Sequence, residues 1–406
     1  MLHYLKRLYP TYNEKNVAIY YLLSFLTGSW FQIGSWIFFV LMFVTEAEFA
    51  VYEAIAFAIA ALIEIPSGAI ADLIGRKKTV VISFYLLSIG CLMFTLAPLS
   101  KWLMLIGNII IIVSFSLKSG SLEALLYDSL KAKNKVDHFD DVVGKSESIR
   151  LVMYVLAGLI GGIAWKIHPY LPWILTTLFF CIATVFSHKL EELGFKPQKF
   201  TIKDLTSQTK EGFKYLFTPL MMPLTTSLMI ILGSYYMWHT GIIRVLMGRD
   251  FGLDGSTISY VISAAFLVSF IFNYYFEKIR ETIGDQKGFV LFSLVLALSW
   301  IVSWAIQNPL VGIIVFLVIT VSGSITSTWN SIIINKVAKT KDRATVISTL
   351  SFFVQLPYIF IVIYYGKLAE SGGTANFYLL TGLMIILAIV VFYHQFKVIK
   401  EKVKTP

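Results

Sequence analysis

The chain has 406 residues, of which 57% are hydrophobic and only 14% charged, and its mean hydropathy is +0.74. Soluble domains carry about 25% charged residues, so a soluble enzyme, a nucleic-acid binder and a disordered chain are all excluded. The net charge of +10 is therefore read as the loop charge of a membrane protein, not as a nucleic-acid surface.

A transmembrane helix needs about 20 predominantly apolar residues, and charge-poor runs of that kind recur twelve times. The first, 16–44, belongs to a stretch free of Lys, Arg, Asp and Glu from Asn16 to Thr45. It is about twice the length of a signal-peptide core and is expected to stay as a helix. Runs at 49–71, 79–99, 102–129, 146–166 and 171–189 follow. A polar, lysine-rich connection, Leu190–Phe217, then precedes 218–246, 256–277, 287–306, 309–335, 344–366 and 374–396. Asn308-Pro309 divides the ninth run from the tenth, and Pro66, Pro223 and Pro357 are expected to break or kink spans from within. The two cysteines, Cys91 and Cys181, both lie inside apolar runs and form no disulfide or metal framework.

The expected fold is all-α and polytopic, with twelve transmembrane helices in two six-helix bundles, 1–189 and 218–406, joined by a cytoplasmic linker at 190–217. With both termini in the cytoplasm, 28 Lys and Arg fall inside and five outside (Lys101, Lys166, Arg244, Arg249 and Lys367). That bias sets the orientation. Two halves of six point to a transporter built from repeats around a midplane site.

Between the second and third runs the chain reads Gly68-Ala-Ile-Ala-Asp72-Leu-Ile-Gly75-Arg76-Lys77-Lys78. Gly68 permits close helix approach, and Gly75 permits a tight turn. Asp72 can face the positive end of a neighbouring helix, and Arg76 can fork onto a carboxylate. This stretch resembles motif A of the major facilitator superfamily, and it falls in the loop where that motif stands. The resemblance implies a conformational latch in which Arg76 meets Asp128 at the end of span four, while Asp72 faces the start of span eleven at Arg343. In the second half the corresponding loop keeps only Gly284 and Lys287. In span five, Ala157-Gly158-Leu-Ile-Gly161-Gly162 is similar to the end of motif C of the superfamily's drug/proton antiporters. Its last two glycines match and its Gly-Pro pair does not; packing through small residues explains the run equally.

Charges inside the membrane are costly and so are expected to line a cavity or to be paired. Lys118 stands ten residues before Asp128, hence about 15 Å deeper along the helix, near the midplane. Glu64, Glu123 and His239 are the candidates for proton coupling; the alternative for the two acids is a packing role beside the latch. Glu53, near the outer end of span two, is expected to be solvated. Span ten carries Thr320, Ser324, Ser327, Thr328, Ser331 and Asn335 on one helical face.

The resemblance also implies that spans one, four, seven and ten line the cavity. The candidate lining residues are Gln32, Trp36, Lys118, Tyr235, Trp238, Ser324 and Thr328, with Gln355 beside Pro357 in span eleven. Aromatics with hydroxyls and few charges suit a bulky, partly apolar or cationic solute. No P-loop, dinucleotide fingerprint, nucleophile triad or metal cluster is present in the sequence, so no enzymatic chemistry and no cofactor is expected. The expected protein is a monomeric secondary transporter in a bacterial-type plasma membrane, exporting a small amphipathic or drug-like molecule against protons. Proton symport of a metabolite and lipid flipping are the alternatives.

Overall fold

The computed structural model describes residues 14–192, 213–337 and 343–404, and of these 64–69, 72, 335–337, 343–348 and 400–404 by backbone alone. In hydrocarbon, each backbone N–H and C=O must be paired within its own segment, and the apolar runs accordingly fold as helices. Contacts divide the chain into two units, Met1–Val44 with Ile55–Ile202, and Thr45–Ala54 with Lys203–Pro406.

The first unit holds α1 (Lys15–Thr27), α2 (Trp36–Val40), most of α3 (Glu46–Ile74), α4 (Arg76–Thr95), α5 (Lys101–Lys118), α6 (Ser121–Ala132), α7 (Phe139–Ile167) and α8 (Leu171–Ser187). The second unit holds the start of α3 with α9 (Met222–Thr240), α10 (Ile242–Asp250), α11 (Gly255–Tyr274), α12 (Phe276–Ile283), α13 (Asp285–Ala305), α14 (Pro309–Val337), α15 (Arg343–Ser371) and α16 (Thr374–Lys404). Eight helical segments among the described residues are long and apolar enough to cross a membrane. Large apolar side chains such as Ile163, Ile314, Phe360 and Leu387 stand exposed on them, a surface that lipid, not water, must cover. The chain is a multi-pass membrane protein.

The twelve expected helices are sixteen among the described residues. Spans one, four and seven each break once, and the short α12 follows span eight. Span four stops at Ser119 and Gly120, where Gly120 takes a φ of +62°. Span seven stops at Gly241, where a Cβ would lie 1.6 Å from the Tyr358 hydroxyl oxygen. A tyrosine of α15 thus occupies the room that the break leaves. Pro223 does not interrupt span seven; it sits in the first turn of α9, where a missing N–H is harmless. Pro357 does lie inside α15.

Within lipid there is no hydrophobic drive between helices, so their contacts rest on fit. The tightest approach in the first unit is Gly161 of α7, where a Cβ would come within 1.7 Å of the Phe31 carbonyl oxygen in the link between α1 and α2. Phe31, Met153 and Ala157 pack together beside it. At the other end of α1, Val17 and Tyr20 pack with Leu126, Leu130 and Val142.

Candidate functional site

At one end of the first unit, Gly75 caps α4 with φ +105° and ψ 138°, a conformation that glycine alone adopts freely. The turn aims Arg76 at α6, where its Nη1 donates to Asp128 Oδ2 at 2.5 Å and to the Ala124 carbonyl at 3.1 Å. Glu192, which no sequence motif singles out, places its Oε1 3.3 Å from the Lys77 amide nitrogen. A carboxylate there meets the positive end of α4. The chain leaving α8 is pinned beside it. Asn16 Oδ1 accepts from the Glu191 amide (2.9 Å), and Asn16 Nδ2 donates to the Glu191 carbonyl (2.7 Å) and Ser129 Oγ (2.6 Å). The hydrogen bond from Lys15 holds the Glu191 carboxyl below the usual carboxylate range.

Glu64, Gly68 and Asp72 in α3, and Arg343 at the start of α15, lie outside the residues described beyond their backbone. In the second unit Gly284 caps α13 with φ +81° and ψ 160°, the same kind of turn as Gly75, and Arg280 Nε donates to Asp285 Oδ1 at 2.7 Å. The likeness of the two turns is thus plainer in the backbone than in the residues around them.

Lys118 ends α5 at the span-four break, with Nζ 5.3 Å from the Phe115 ring centre. Phe115 in turn lies 5.6 Å from the Trp30 ring, and Trp30 5.0 Å from Phe180. Gln32 Oε1 accepts from Thr176 Oγ1 at 2.5 Å, and that oxygen accepts from the Phe31 amide at 3.1 Å. Gln32 Nε2 and Ser35 Oγ are buried without a hydrogen bond among the described residues. Trp36 opens α2, half-buried. Glu123 is exposed in the first turn of α6, and Glu147 pairs with Arg150 one turn along α7.

In the second unit the Tyr235 ring lies over Gly323 of α14, where a Cβ would fall 1.9 Å from Cδ2, and 5.5 Å from the His239 ring. Trp238 is fully buried against Phe316 and beneath the Arg244 guanidinium. The loop-charge reading counts Arg244 among the charges on the non-cytoplasmic side; it is only 6% exposed, inside α10. Ser324 and Thr328 meet Asn273 of α11, which donates to Ser324 Oγ at 2.9 Å and accepts from Thr328 Oγ1 at 3.2 Å. Part of the polar stripe of span ten is therefore a stitch between helices, while Ser327 and Ser331 are exposed. Gln355 Oε1 accepts from the Tyr236 hydroxyl at 3.3 Å.

Glu53 overturns the expectation of a solvated acid. It is 3% exposed, and the Tyr358 hydroxyl donates to its Oε1 at 2.6 Å. The cause is the packing of the start of α3 on helices of the second unit. Glu46 pairs with Arg249, and the Ala50 methyl lies where a Cβ on Gly366 would come within 2.4 Å. Glu46, Ala50 and Glu53 fall at helical spacing on one face, the signal that a local reading passes over. Among the described residues no cluster of three His, Cys, Asp or Glu side chains is placed to hold a metal.

The family model described as Major Facilitator Superfamily matches residues 224–405. No curated protein sequence matches the chain significantly. Among solved structures, the nucleoside transporter NupG superposes with a TM-score of 0.75 at 14% identity, covering 94% of this chain and 98% of that one. A bacterial homologue of the iron transporter ferroportin gives 0.72 at 17% identity, covering 94% and 98%. A POT family transporter in complex with 5-aminolevulinic acid gives 0.70 at 13%, covering 94% and 96%. The chain has the fold of these membrane transporters.

Proposed function

We propose that the protein is a secondary transporter that moves a small, partly apolar organic solute across the plasma membrane by alternating access. Irregular backbone at membrane depth is tolerated only when buried in protein or lining a water-filled cavity, and transporters place solute at such breaks. The observation that carries the reading is the pair of breaks in the first unit. One bears Gln32 and Ser35 with unspent hydrogen-bonding atoms, and the other ends on Lys118 over Phe115 and Trp30. Aromatic faces take the apolar part of a solute, and the amide, hydroxyl and ammonium take its polar part. The family match over 224–405 supports transport. Neighbours of the same fold are named for a nucleoside or were solved with 5-aminolevulinic acid, which supports a solute of that size. Export against protons is supported by the likeness of Ala157–Gly162 to the antiporter motif.

The test is flux in proteoliposomes under an imposed pH gradient with a broad panel of compounds. Gradient-driven efflux of at least one solute is expected. The Lys118→Cys variant, with Cys91 and Cys181 replaced by serine, should react with a hydrophilic thiol reagent and be protected by that solute. Accumulation down an inward proton gradient would make the protein an uptake symporter. Movement of a labelled lipid alone would make it a flippase. A Lys118→Cys thiol inert in every condition would remove Lys118 from the site.

A further inference from the structure

The break in span seven, a tyrosine of span eleven and an acid of span two meet at one point. Gly241 leaves room for the Tyr358 ring tip, and the Ile242 amide, first of α10, donates to the Tyr358 oxygen at 3.3 Å. With its oxygen so engaged, Tyr358 spends its one proton on Glu53 Oε1 at 2.6 Å. The other carboxyl oxygen, Oε2, is buried with no hydrogen bond among the described residues.

Among the described residues, the groups that bond to Glu53 from the helices packed on it are uncharged. From α15 it is Tyr358, and from α10 the Ile242 amide; Tyr236 of α9 stands behind, its ring 6.1 Å from that of Tyr358. Elsewhere on these helices, Arg244 lies over Trp238, Arg249 pairs with Glu46, Asp250 accepts from Thr374 and Tyr378, and His239 packs on Tyr235. A carboxylate whose donors are one hydroxyl and one backbone amide, with no cation paired to it among the described residues, is far costlier to bury than a neutral carboxyl group.

We propose that Glu53 is a proton-binding site: it takes one proton on Oε2 when seated against Tyr358 and Gly241–Ile242, and returns it to water when the start of α3 leaves that seat. A ligand shifts a conformational equilibrium only by binding one state better than the other, and a proton held only in the seated state does so. This goes beyond the candidates at Glu64, Glu123 and His239. It rests on the transport reading only for what the proton drives, not for the binding itself.

The experiment is infrared difference spectroscopy of the purified full-length protein at neutral pH, wild type against Glu53→Gln. Loss of a protonated-carboxyl C=O band in the variant is expected. Loss of an ionised-carboxylate band instead overturns the proposal. If Glu53→Gln does not fold, Tyr358→Phe is read in its place. Removing the donated hydrogen bond should move the same C=O band to higher frequency, and an unmoved spectrum overturns the proposal. Neither readout requires that any solute move, so a failure of the transport reading leaves this result standing and is told apart from it.

Discussion

Gly75 and Gly284 offer a matched pair for perturbation. Each precedes a long helix at positive φ, +105° and +81°, where an alanine is strained by about 1–3 kcal/mol. At Gly284 a new Cβ meets nothing within 4 Å, so the loss should be that backbone term alone. At Gly75 the new Cβ would sit 2.6 Å from Glu192 Oε2. The carboxylate must swing away, and its hydrogen bond from the Lys77 amide goes with it. Losing a helix cap of this kind costs about 1 kcal/mol, so Gly75→Ala should be the worse of the two by about 1 kcal/mol. Glu192→Ala alone should cost about the same 1 kcal/mol, and adding it to Gly75→Ala should cost almost nothing further, because the two share one interaction. Unfolding in mixed micelles, followed by far-ultraviolet circular dichroism, measures all four proteins. Equal losses at the two glycines, or strict additivity with Glu192→Ala, would refute the capping role; two neutral glycine variants would refute the need for the turn.

Reversing either partner of Arg76–Asp128 should weaken both flux and stability, and the swapped pair should recover part of each. The two side chains are 27% and 36% exposed, so the coupling is expected at about 0.5–1 kcal/mol, and a double-mutant cycle showing none would dismiss the pair. Lys135 donates to Glu14 at 2.8 Å and holds its carboxyl below the ordinary value of 4.5. Its contribution is therefore complete above that value and fades as pH falls through the lower folded one. Lys135→Ala should flatten the acid side of a stability profile, and an unchanged acid limb would argue against it.

Much of this architecture is legible in the sequence because charge is: runs without Lys, Arg, Asp or Glu mark the helices, while the pairing of Arg76 with Asp128 is what the resemblance to motif A implies. The breaks are harder to read, since Gly120 and Gly241 sit in runs that look continuous and the second is matched to Tyr358, far along the chain. Glu53 misleads for the same reason. Its burial is set by a partner 305 residues away, and a local reading weighs only its neighbours. Arg244 is charged and near a span end, yet its position inside α10 hides it. The stripe of Ser324 and Thr328 is visible by helical spacing, but its partner Asn273 is one amide among many polar residues. Glu192 is concealed in a lysine-rich connection.

The seating of the start of α3 also has a history during synthesis. Tyr358 leaves the ribosome 305 residues after Glu53, which at translation speeds of 5–20 residues per second is a delay of roughly 15–60 s. Through that interval Glu53 stands near the head of a helix whose tyrosine partner does not yet exist, and an ionised side chain carried into lipid without a partner is costly. The early chain therefore carries a vacant berth into the membrane, and α10 and α15 arrive later as its occupants. Mutations at Glu46 or Glu53 should accordingly register first in the yield of inserted protein, before any property of the finished molecule is measured.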